Sequence, residues 1–145
     1  MSEPVVIPVE RFNQAYVENR VQLCPEKLRG ALRSALSYLY LIDGPINLPR
    51  NRLKSAEANL EPGELLLIRW LYTRTNGSLR STYGSKALRA ARAARYRCSE
   101  CSLADVRVLQ LDHVDGHTPD TEFACLCANC HSIKSRDNDW SGKKR

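Results

Sequence analysis

The side chains with the most distinct chemistry lie in the last third of the chain, where cysteines recur at a ligand's spacing. Cys98-Ser-Glu-Cys101 and Cys127-Ala-Asn-Cys130 are two Cys-x-x-Cys pairs with 25 residues between them. A tight turn of this kind presents two thiolates on one side, and two such turns complete the tetrahedron that zinc prefers. Cys98, Cys101, Cys127 and Cys130 are therefore the expected ligands of a structural zinc. Such an ion contributes about 10 to 16 kcal/mol in small finger peptides, enough to hold a segment too small for a core of its own. Cys24 and Cys125 fall outside the pattern, and both read as small hydrophobes.

Between and beside these pairs lie Asp112, His113 and His131. Val106, Val108 and Leu109 to Leu111 read as a strand that ends at Asp112-His113. Asp115-Gly116 offers a turn, and a return strand is expected around Phe123 to Leu126. Asn129 to Asp137 can form a helix whose first turn holds Cys130 and His131. Adjacent helical positions diverge by about 100°, so Cys130 can face the zinc while His131 points into a different site. A strand-end Asp112 and a helix-borne His131 can together hold a second, catalytic divalent cation, for which magnesium, manganese, nickel or zinc would serve.

The run Leu111-Asp112-His113-Val114-Asp115-Gly116, followed by Leu126-Cys127-Ala128-Asn129-Cys130-His131-Ser132, resembles the zinc-stapled HNH endonucleases, whose fold is a ββα-metal finger. The resemblance covers residues 96–138, about a third of the chain. It implies a metal-dependent DNA endonuclease that leaves 5′-phosphate and 3′-hydroxyl ends. His113 matches the general base that takes a proton from water, and Asp112 and His131 match the ligands of a single cation at the scissile phosphate. The family's central Asn has no counterpart. Glu122 is the nearest positional match, Thr121 or Asp120 could supply the hydrogen bond instead, and Asn129 occupies a different place, inside the second Cys pair. His117 is extra, an accessory ligand or phosphate contact if it is more than an exposed loop residue.

The remainder of the chain must position this finger. Residues 1–84 read as a helical region that could grip DNA, dimerise or dock a regulatory protein. Residues 85–145 read as a basic helix followed by the finger, and the fold class is α+β with most helix at the amino-terminal side. A helix from Pro25 carries Leu28, Leu32, Ala35, Leu36, Leu39 and Ile42 at helical spacing, with Asp43-Gly44-Pro45 as its stop. A shorter helix is expected from Glu10 to Val21 and another from Pro62 to Thr75, closed by Asn76-Gly77-Ser78. The turn-rich stretch from Gly44 to Asn51 reads as a link.

Lys and Arg number 22 against 16 Asp and Glu, for a net charge of +6, and the excess is local. No acidic residue occurs between Leu65 and Ser99. A helix capped by Ser85 and running to Tyr96 would carry Lys86, Arg89, Arg92 and Arg95 over a broad basic face. With Arg97, Lys134 and Arg136 these are the expected DNA phosphate contacts. Tyr72 and Tyr83 read more readily as core than as base-stacking residues. The longest apolar run, Leu65 to Ile68, ends at Arg69 and is far short of the ~20 residues of a membrane span. With no leader pattern at the start of the sequence, a reducing, cytoplasmic setting is expected. The main alternative to the nuclease is a non-catalytic, zinc-stabilised nucleic-acid-binding protein. A third reading is a finger whose helical portion recruits or restrains it.

Overall fold

A computed structural model describes residues 6–40, 42, 48–75, 82–114 and 122–140. The chain is α+β and mostly helical: six α-helices accompany one two-stranded antiparallel sheet among the described residues. Helix α1 (Gln14–Leu23) starts at Asn13, whose side chain accepts from the Tyr16 N–H at 2.8 Å, and it stops ahead of Pro25. Helix α2 (Arg29–Leu39) follows a 3-10 turn at Glu26–Leu28. Pro25 therefore precedes a tight turn rather than opening the helix directly. The helix ends at Tyr40, short of the expected Ile42, and the Ile42 N–H turns back to the Ser37 carbonyl at 3.3 Å.

Helix α3 (Arg50–Ala56) replaces part of the expected link. Its buried residues are only Leu53 and Ala56, too few for a helical period to be visible in sequence. Helix α4 (Pro62–Arg74) has proline in its first turn and a capping box formed by Glu61 and Glu64. Helix α5 (Thr82–Ala93) begins before Ser85, which lies within it and is not its cap. It also ends before Tyr96, because Arg95 and Tyr96 both adopt left-handed backbone at φ 56° and 58°. Bulky residues rarely do so. Here the Tyr96 ring is buried and its hydroxyl donates to the Leu39 carbonyl at 2.9 Å, which holds the bend between α5 and the first Cys pair.

Strand β1 (Leu109–His113) is preceded by a 3-10 turn at Val106–Val108, so the strand expected from Val106 starts three residues later. It pairs antiparallel with β2 (Phe123–Cys127), in the register Leu109 to Cys127, Asp112 to Ala124 and His113 to Phe123. Helix α6 (Ala128–Trp140) follows β2 without a break. Both α5 and α6 pack against the sheet. One buried apolar cluster runs from Ile7 through Leu36, Leu71 and Leu88 to Leu109 and Cys127. Trp70 Nε1 donates to the Leu109 carbonyl at 3.0 Å and ties α4 to β1. Tyr72 is buried and donates to the Leu48 carbonyl, in keeping with a core role.

The amino-terminal helices enclose a carboxylate that the sequence pattern did not single out. Glu64 is 0% exposed. Arg20 Nη1 reaches its two oxygens at 2.7 and 2.6 Å, the Tyr40 hydroxyl donates to it, and the Glu61 N–H approaches at 2.9 Å. Burial, with Glu64 beside it, pushes the Tyr40 hydroxyl well above the ordinary tyrosine value, so it remains a donor. Removing one member of such a buried ion pair leaves the other charge without compensation. Glu64→Ala is expected to cost about 3 kcal/mol, read as a lower urea midpoint at unchanged slope. Glu64→Gln, which keeps an acceptor, should cost less.

Candidate functional site

The four expected cysteines come together. The ligand atoms of Cys98, Cys101, Cys127 and Cys130 all lie within 4.8 Å of one another. Cys101 Sγ is 3.6 Å from Cys127 Sγ, close to the edge of about 3.8 Å of a tetrahedron built on zinc–sulfur bonds of about 2.3 Å. The cluster could therefore hold a structural metal such as zinc. Its first turn is closed by the Ser102 N–H to the Cys98 carbonyl at 2.9 Å, with Ser102 in left-handed backbone at φ 65°. It is joined to the sheet by the Ser99 N–H to the Cys125 carbonyl at 2.8 Å. In the second turn Cys127 ends β2 and its sulfur accepts from the Cys130 N–H at 3.4 Å, at the start of α6.

These surroundings divide the thiols. Burial opposes ionisation of Cys98, yet hydrogen bonds from the backbone of Cys127, Cys101 and Glu100 outweigh it and bring the thiol down to about 6. Cys130 is pushed up by its hydrogen-bonded neighbours Cys127 and Cys98. Cys125 is pushed up to about 12 by burial and by the charge on Cys98. It lies in the core, as does Cys24, which fits their reading as small hydrophobes.

Asp112 and His131 meet from opposite elements, one at the end of β1 and the other in the first turn of α6. His131 Nε2 lies 3.0 Å from Asp112 Oδ1. Two ligands at right angles around a cation about 2.1 Å from each are separated by about 3.0 Å, so the pair fits a shared divalent ion as well as a direct hydrogen bond. Lys134, expected from the sequence as a phosphate contact, has a partner that the sequence reading did not foresee. Its Nζ pairs with Asp112 Oδ2 and also donates to the His113 carbonyl at 3.2 Å. The signal was present in the spacing: His131 and Lys134 are three apart, hence neighbours on one helical face.

Successive strand residues project to opposite faces. Asp112 thus faces α6, while the His113 ring sits 4.7 Å from its cross-strand partner Phe123, centroid to centroid. His113 Nε2 is shielded from solvent there. Glu122 is exposed just before β2, and its carbonyl accepts from the Val114 N–H at 2.9 Å, which continues the ladder one step beyond the His113–Phe123 pair. His117, Asp120 and Thr121 lie outside the described residues, as do the expected turns at Asp115-Gly116 and Asn76-Gly77-Ser78.

The basic residues do not form a single face. Arg89 and Arg136 are exposed, and Lys86 and Arg97 are partly covered. Arg92 turns inward, over the Tyr38 ring at 5.9 Å and toward the Ser37 carbonyl at 3.5 Å. Arg95 is exposed but lies over the Phe12 ring at 5.1 Å. Among the described residues, no helix is long and apolar enough to cross a membrane. No family model matches the chain, and neither a curated protein nor a solved structure does.

Proposed function

We propose that this protein is a metal-dependent DNA endonuclease of the HNH type, its ββα finger stapled by zinc on Cys98, Cys101, Cys127 and Cys130. The observation that carries the reading is the 3.0 Å approach of His131 Nε2 to Asp112 Oδ1, with His113 the next residue along β1. In this mechanism Asp112 and His131 hold one divalent cation, which when bound supplies charge stabilisation at the scissile phosphate. His113 accepts a proton from the attacking water as its oxygen bonds to phosphorus, and the P–O3′ bond breaks with the 3′-oxygen taking a proton from solvent, giving 5′-phosphate and 3′-hydroxyl ends. Arg136 on α6 and Arg89 on α5 are both exposed, and in this reading they would contact flanking phosphates.

Supercoiled-plasmid nicking tests this, with magnesium, manganese, nickel or EDTA, on protein whose zinc has been counted. Nicking is expected only with added divalent metal, and it should be lost in Asp112→Asn. A second reading, a zinc-stabilised nucleic-acid-binding protein without catalysis, is favoured by the shielding of His113 Nε2, since a base must reach water. Salt-sensitive DNA binding with no cleavage under any metal would establish that reading instead. Under either, Arg89→Glu should weaken DNA binding and reduce the slope of log affinity against log salt by about 1. Arg92→Glu should chiefly lower stability, because that side chain packs on Tyr38.

A further inference from the structure

We infer that Lys134 is a built-in substitute cation at the Asp112 centre, one that a divalent metal must displace in order to bind. The inference rests on the nuclease reading of Asp112 and His131 and adds to it a means by which the Asp112 carboxylate is held in place before a metal binds. Asp112 has two oxygens. One faces His131 Nε2 at 3.0 Å, and the other is taken by the Lys134 ammonium. The carboxylate is largely covered, at 14% exposure, so leaving it without a positive partner would be costly. Lys134 meets that need and, through its bond to the His113 carbonyl at 3.2 Å, also fixes the end of β1.

An ammonium in this position competes with a metal in two ways. It occupies an oxygen that a cation would draw on, and its charge repels a second positive ion nearby. Lys134 also has somewhere to go. With Ala124, Leu126, Ile133 and Asp137 it lines a cavity of about 620 Å³. The apolar residues there can accept its aliphatic stem. Asp137, one helical turn further on, offers the displaced ammonium another carboxylate when no phosphate is bound.

The test is manganese binding, measured by the electron paramagnetic resonance of the free ion, on zinc-loaded wild type, Lys134→Met, Lys134→Gln and Asp112→Asn. Lys134→Met and Lys134→Gln should each bind one manganese about tenfold more tightly than wild type, the equivalent of about 1.4 kcal/mol. Asp112→Asn should bind none. Zinc content in each sample confirms that the finger is folded, and Lys134→Gln retains a donor for the His113 carbonyl. Equal or weaker manganese binding in both Lys134 variants would overturn the inference and leave the ammonium a mere support for Asp112. Absence of manganese binding in every protein, wild type included, would remove the nuclease reading and this inference together.

Discussion

Cys127→Ser is expected to lose zinc and unfold the finger, a change large enough to see without any activity assay. The sheet consists of two five-residue strands, and an isolated two-stranded hairpin is marginal in water. The zinc that we propose for the four-sulfur cluster contributes on the order of 10 kcal/mol, comparable with the whole stability of an ordinary domain. A serine hydroxyl does not replace a thiolate at neutral pH. Zinc should therefore fall from one per chain to none, with protease sensitivity spreading through the strands and α6. Cys125→Ser is the control: Cys125 is equally buried and only two residues away, but it lies outside the cluster. It should keep its zinc and cost about 1 to 3 kcal/mol for a buried hydroxyl. Zinc retained in Cys127→Ser, or lost equally in Cys125→Ser, would mean that the ligand set is different.

The four-cysteine cluster and the candidate cation pair are linked by one backbone step. Cys130 and His131 are adjacent at the start of α6, so whatever fixes the sulfur of the first also fixes the position of the second. This is why the finger's elements were legible in the sequence: the Cys spacing dictates a turn, the turn sets the beginning of the helix, and a strand that ends at Asp112 can lie across from it. Helices α2 and α4 were legible for a similar reason, since periodic leucines and a proline in the first turn are local signals. The unread features are tertiary. Glu64 looks like an ordinary first-turn acid until Arg20 and Tyr40, distant in sequence, close over it. Arg92 counts as one more surface arginine until Tyr38 is seen beneath it. The end of α5 has no glycine to announce it, because Arg95 and Tyr96 take the left-handed turn themselves.

Under the nuclease reading that we propose, His113→Ala should leave zinc content, fold and DNA affinity near wild type while lowering cleavage by about 10²- to 10⁴-fold, the range for a lost general base. The difficulty in interpreting it is packing, since the ring lies against Phe123 across the ladder. His113→Gln addresses that, for it keeps a side chain of similar reach that cannot accept the proton. If His113 serves as the base, the two variants should be equally inactive, and added imidazole should restore part of the activity of His113→Ala by entering the space left beside Phe123. If the ring is only a packing element, His113→Gln should retain cleavage and His113→Ala should instead lose stability. Asp112→Asn separates the roles further, because it should abolish manganese binding, whereas neither His113 variant should. Cleavage absent from His113→Ala with manganese affinity intact would assign proton transfer to the imidazole and cation binding to the neighbouring carboxylate.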